Sequence, residues 1–174
     1  MYYLIAIFNV IALYLAILNN RKTWWFAILG TTLTSIMFFD DIMISSFLFN
    51  VYSTVCSIIA LFTWKKTSSE NKMIFEWDNI TWLAAPLGVV LGILNYHVFN
   101  SENVLFDTIG PICAITATYL LVRKNALSYI YWIYSDINYI ILGIVTNTTH
   151  YICIYTVMLL LSIYGLKRNT KTCF

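Results

Sequence analysis

Residues 122–143 read VRKNALSYIYWIYSDINYIILG: a basic pair, then a run that is mostly apolar and aromatic with one carboxylate near its centre. Two features of this stretch decide the fold. The run behind the pair is long enough to cross a bilayer, since about 20 apolar helical residues cover ~30 Å of hydrocarbon. The pair also recurs. Arg123-Lys124 repeats Arg21-Lys22, and Lys167-Arg168 repeats Lys65-Lys66, both at a spacing of 102 residues.

The rest of the chain agrees with a membrane setting. Of its 174 residues, 60% are hydrophobic and 10% charged. A soluble domain carries about 25% charged residues, so this chain cannot cover itself with polar surface in water. Seven apolar runs are candidate spans: Tyr2–Leu18, Trp24–Phe39, Met43–Trp64, Ile80–Val98, Phe106–Val122, Leu127–Val145 and Tyr151–Leu166. The second and seventh are short, and a re-entrant second run would leave six. The first lacks a basic leader and a small-residue cleavage site, so it reads as a retained span. The four cysteines form no Cys-x-x-Cys or Cys/His cluster. They read as apolar filler, with no metal site, cofactor or disulfide framework expected.

Charge placement orients the spans. With the N-terminus outside, all ten Lys and Arg residues fall on the inner side. The outer loops then hold Asp40-Asp41, His97, Glu102 and His150. Lys and Arg collect in short cytoplasmic loops, so the topology is N-out, C-in. Three spans surround each set of basic pairs, with Ile80–Val98 between the sets. The expected fold is an all-α polytopic membrane protein of seven transmembrane helices in a 3+1+3 parallel-repeat plan. Residues 1–66 form the first repeat, 67–99 a linker and inverter helix, and 100–174 the second repeat. Positive-inside spacing alone is the competing account of the pairs. Parallel repeats are one transporter layout, with substrate bound at the repeat interface. Within the polar linker, MIFEWD (73–78) is expected as a short amphipathic turn on the inner surface.

Ionisable groups inside a span are costly and usually face the bundle interior or a wet cavity. Asp136 lies mid-way along the sixth run. On a helix Trp132, Asp136, Tyr139 and Gly143 share one face, offering a ring, a carboxylate, a phenol and a gap to a flat, hydrogen-bonding ligand. Asn138 points elsewhere, so this helix has neighbours on two sides. Asp107 opens the fifth run, either as a helix cap or as a ligand group. Asn50 and Ser57 in the third run, and Tyr155 and Ser162 in the seventh, repeat an i, i+7 pattern that suits a shared cavity. The bland alternative is interhelical hydrogen bonding. Gly110-Pro111 is a candidate hinge. The two histidines lack a nucleophile or metal partner, there is no phosphate-binding loop, and no enzyme is indicated.

These motifs resemble the Pnu family of bacterial vitamin transporters, whose best-known members carry nicotinamide riboside. The resemblance rests on WWFAILGTTLTSIMFFDDIMISSFLFNVYSTVCSIIALFTWKK and on FDTIGPICAITATYLLVRKNALSYIYWIYSDINYIILGIVTN followed by SIYGLKR. It pairs Asp107, Arg123-Lys124, Trp132-x-x-x-Asp136 and Ile163-Tyr164-Gly165 with the family's pattern. It implies a 3+1+3 fold similar to SWEET sugar transporters, in the bacterial inner membrane. It also implies facilitated uptake by alternating access, drawn inward by a cytoplasmic vitamin kinase, and a homotrimer as a known family assembly. Thiamine and riboflavin are the alternative substrates. A non-transporting membrane scaffold or receptor subunit is the alternative of another class. No nucleic acid partner is implied. The first-half counterpart of the Trp-x-x-x-Asp motif is Phe26-x-x-x-Gly30, which departs from the family by lacking a polar group. Asp136, where relatives carry Asn or Asp, would favour a cationic ligand. The substrate-binding set is thus Trp132, Asp136, Tyr139, Asn50, Ser57, Tyr155, Phe26 and Asp107.

Overall fold

The computed structural model describes residues 2–40, 44–65, 73–76, 90, 93, 97 and 104–171. Six helices lie within them: α1 (Tyr2–Ile17), α2 (Thr23–Asp40), α3 (Ile44–Thr63), α4 (Phe106–Val122), α5 (Ser128–Val145) and α6 (Thr149–Lys171). They correspond to the first, second, third, fifth, sixth and seventh predicted spans. Of the predicted fourth span, Ile80–Val98, the described residues Val90, Ile93 and His97 are helical. The remainder of that span lies outside the described residues, as does Cys173.

Each helix exists because its apolar run is long, and three of them, α1, α4 and α5, end where a residue takes a left-handed backbone. Asn19, Lys124 and Asn147 have φ of 54°, 60° and 54°. After α1, the Asn20 N–H reaches back to the Leu15 carbonyl at 3.0 Å and the Asn19 N–H to Ala16 at 2.9 Å. The Asn125→Leu120 and Lys124→Leu121 bonds (2.8 and 2.9 Å) do the same for α4. After α5 the pair is Thr148→Gly143 and Asn147→Ile144, at 2.7 and 3.3 Å. This is the Schellman closure, which satisfies carbonyls left open at a helix end. It lets the chain reverse within a few residues. The second span, short as it is, forms an unbroken α2 of 18 residues, about 27 Å at 1.5 Å per residue. Likewise α4 continues through Pro111.

The helices pack in a ring. α1 meets α2, α2 meets α3, α3 meets α4, α4 meets α5, α5 meets α6, and α6 returns to α1. This pattern maps onto itself when the first three helices exchange with the last three. α3 and α4 run parallel: the Asp107 carboxylate lies at the first turn of α3, and the Trp64 indole N–H donates to the Val122 carbonyl at 3.1 Å. α1 and α6 are parallel too, since the Asn169 amide contacts the Ile17 carbonyl at their last turns.

The surface is apolar and much of the interior polar. Tyr3, Phe62, Leu160, Ile144 and Val145 are exposed, whereas Asn50, Ser57, Asp107, Thr116, Ser135, Asp136 and Ser162 are buried. Such an exterior fits lipid and not water. Some buried hydroxyls are satisfied along their own helices, as where Thr34, Ser57 and Thr116 donate to carbonyls four residues back.

The ends of α1, α3, α4 and α6 gather at one basic end. There Arg21 Nε donates to the Leu61 carbonyl at 2.5 Å, a cation meeting the negative end of a helix dipole. Trp24 and Trp64 meet edge to face at 5.2 Å. The linker residues 73–76 dock here as extended chain, not as the expected amphipathic turn. Ile74 accepts from the Ala126 N–H at 2.7 Å and donates to the Lys124 carbonyl at 2.8 Å. Met73 is buried while Ile74 and Glu76 are exposed. This alternation of period two is that of a strand, and a backbone ladder supplies partners that an isolated helical turn lacks.

Candidate functional site

Residues of all six helices enclose a central cavity of about 80 Å³. α1 contributes Asn9, Ala12, Leu13 and Ala16; α2 contributes Thr23, Trp24, Ala27 and Thr31; α3 contributes Ser53 and Ser57. From the second half come Thr118 and Leu121 of α4, Trp132 of α5 and Met158 of α6. No charged side chain is among these lining residues. The indole N–H groups of both Trp24 and Trp132 are buried without a hydrogen-bond partner among the described residues. Buried donors are nearly always paired, and leaving one unmet costs about 1–3 kcal/mol. Both tryptophans line the cavity, one from each half. Trp132 is held by Phe49, with ring centroids 6.2 Å apart at 64°.

Hydroxyls complete the wall. Ser53 and Thr118 approach to 3.4 Å across the α3–α4 contact. Thr31 and Thr54 are 2.7 Å apart between α2 and α3. One of the two donates across this contact and the other to the carbonyl four residues back, Ala27 for Thr31 at 2.7 Å or Asn50 for Thr54 at 2.9 Å. An 80 Å³ space holds a few waters, whereas sites for drug-sized ligands span about 300–1,000 Å³. A nucleoside-sized ligand therefore needs the helices to move apart.

Of the eight residues singled out from the sequence, Ser57 and Trp132 line this cavity. Asp136 is one turn from Trp132, buried, and accepts a hydrogen bond from Ser162 Oγ at 3.1 Å. Its contact pairs the second-half members of the two repeated patterns. Asn138 turns the other way and donates to the Phe106 carbonyl at 2.9 Å, so α5 has polar contacts on two sides. Tyr139 and Tyr155 stack at 4.5 Å and 17°, and Phe38 lies 5.7 Å from Tyr139. They belong to an apolar cluster at the end opposite the basic one, with Ile5, Leu142 and Tyr151. Asn50 donates to the Ser46 carbonyl of its own helix at 2.7 Å. Phe26 contacts Phe8 at 6.3 Å and is not among the lining residues.

Asp107 caps a helix, though not its own. Its carboxylate accepts from the Ser46 N–H at 3.1 Å, the Ser46 hydroxyl at 2.8 Å and the Ser45 N–H at 3.4 Å. It thus closes the N-terminus of α3 from α4. The Ser46 proton is spent on Asp107, so the Tyr139 hydroxyl, 3.1 Å away, is the donor in their contact.

Sequence reasoning missed Asn9, Trp24, Thr31 and Thr118. Asn9 carried a readable signal, as the single amide in an otherwise aliphatic and aromatic first span. The side chain at Thr118 looked like ordinary interhelical polarity, and only the packing singles it out.

Compared with known proteins, the chain matches the family described as "Nicotinamide mononucleotide transporter" over residues 1–171. No curated protein sequence matches it. Among solved structures, one titled "Crystal structure of the Vitamin B3 transporter PnuC" is similar, with a TM-score of 0.77 at 15% identity. The alignment covers 99% of this chain and 81% of that one. At this identity the likeness establishes a shared fold.

Proposed function

The chain belongs to the nicotinamide mononucleotide transporter family, and from that membership we propose that it moves a vitamin across a membrane, with nicotinamide riboside its first substrate. The observation that carries this reading is the central cavity, walled by both halves and lined by two tryptophans whose indole donors have no partner among the described residues. A scaffold has no use for such donors. The indole faces suit a flat cationic ring, because a cation over Trp gains about 0.5–2 kcal/mol. Asp136, buried one turn from Trp132, adds a hydrogen-bonding carboxyl group behind the wall.

We further infer the 3+1+3 plan. α3 ends at the basic end and α4 begins at the other, so the chain between them has to cross the layer once. That supports a single inverter span and two parallel repeats, with the basic end in the cytoplasm. The backbones of the two halves approach closely only along α3–α4 and α1–α6 among the described helices. Rocking about these two seams opens the cavity to either side in turn, which is alternating access. Cytoplasmic phosphorylation then adds charge to the vitamin and prevents its return.

The test is thermal unfolding of the purified protein with nicotinamide riboside, thiamine, riboflavin and their phosphates. A ligand at 100 times its Kd stabilises by about 2.7 kcal/mol. At roughly 2–4 °C per kcal/mol for a chain of this size, Tm rises by about 5–10 °C. No shift with any vitamin refutes the transporter reading. A shift with thiamine alone moves the substrate to that alternative.

A further inference from the structure

We propose that Asn9 of α1, admitted by Gly30 of α2, is a substrate-reading polar group of the cavity wall. The proposal rests on the vitamin-transport reading and assigns one residue within that site.

Position 30 of α2 carries no side chain, and the space beside it is filled with a polar group. A Cβ on Gly30 would collide with Asn9 Oδ1 and lie 3.0 Å from Asn9 Cγ. Glycine at 30 is therefore what admits the Asn9 amide from the neighbouring helix.

The amide's orientation follows from proton counting. Thr34 Oγ1 donates its single proton to the Gly30 carbonyl at 2.7 Å. Facing Asn9 it can therefore only accept, and Asn9 Nδ2 donates to it at 3.2 Å. The relay Asn9→Thr34→Gly30 fixes which end of the amide is which. It leaves Oδ1 with no donor among the described residues, on a side chain that lines the cavity. Simple helix gluing would need only the Thr34 contact. Asn9 shares this cavity wall with Trp24 and Trp132.

The wall so built asks for a ligand that offers a donor to Asn9. In a nicotinamide nucleoside the donor is either the carboxamide N–H or a sugar hydroxyl. A site that holds such a group by a dedicated acceptor discriminates strongly against an analogue lacking it.

The experiment measures Kd of nicotinamide riboside and of nicotinic acid riboside by calorimetry, with full-length wild type, Asn9→Ala, Gly30→Ala and the double variant. Gly30→Ala displaces the amide while leaving Asn9 in the chain, so it serves if Asn9→Ala does not fold. Each single variant is expected to weaken nicotinamide riboside at least tenfold. The double variant is expected to be no weaker than the worse single, because both changes remove one interaction. A loss confined to the amide ligand identifies the carboxamide as the donor, and an equal loss for both ligands identifies a sugar hydroxyl. Unaltered binding in the single variants, or additive losses in the double, overturns the role of Asn9 while wild-type binding upholds the vitamin reading. Wild type that binds no vitamin overturns both.

Discussion

Replacing Asp107 separates its two assignments, substrate ligand and helix cap. In the structure its carboxylate accepts two backbone N–H bonds and one hydroxyl bond from Ser45 and Ser46. Removing an N-cap acceptor costs about 0.5–2 kcal/mol. A hydrogen bond to a charged group contributes about 1.5–3 kcal/mol. One carboxylate makes all three contacts, so the terms are not independent, and Asp107→Ala is expected to cost about 3 kcal/mol. At roughly 2–4 °C per kcal/mol, Tm in detergent falls by about 6–12 °C. Asp107→Asn keeps an acceptor oxygen for the helix end and loses only charge, so its cost is about 1 kcal/mol by the same cap series. Both variants are expected to bind nicotinamide riboside with wild-type Kd at temperatures where they are folded. An Asp107→Ala protein with wild-type Tm refutes the capping argument. One with wild-type Tm and lost binding assigns the carboxylate to the ligand.

Three further outcomes follow from the packing. Trp132→Ala removes a cavity ring and an unpaired donor, and uptake is expected to fall at least tenfold, which is about 1.4 kcal/mol; unchanged uptake removes Trp132 from the site. A Cβ at Gly165 would stand 2.6 Å from the Tyr129 ring and 2.9 Å from Ile17. Gly165→Ala should therefore lower stability by about 1–3 kcal/mol in thermal unfolding, and an unchanged Tm would show that this contact yields freely. In a cysteine-free background, an impermeant maleimide applied to intact cells should label Thr149→Cys but reach Lys65→Cys only after permeabilisation. The opposite pattern would invert the proposed topology.

The helices themselves were legible in the chain. α4 spans Phe106–Val122, as its apolar run indicated, and α2 and α3 lie within a residue of the expected ends. Span length is a local quantity, summed over consecutive residues, and needs no knowledge of neighbours. The linker was less readable. Residues 73–76 take their extended form from a ladder with Lys124 and Ala126, about 50 positions away, and no local pattern announces such a partner.

The site divides along the same line. A carboxylate and a tryptophan one turn apart can be seen in the sequence, because they share a helix. That Asp136 turns to Ser162 while Trp132 faces the cavity depends on which helix sits beside each. Asp107 could be read as a cap from its place at a helix start, yet the helix it closes is α3, and the fold made that choice. Gly30 looked like a missing polar group until α1 was seen to lay Asn9 over it. Composition and spacing determine which residues enter the membrane and on which side the charges stay, since each residue meets lipid or water on its own. Which polar groups meet one another depends on helix rotation and close approach, and only the packed bundle sets those.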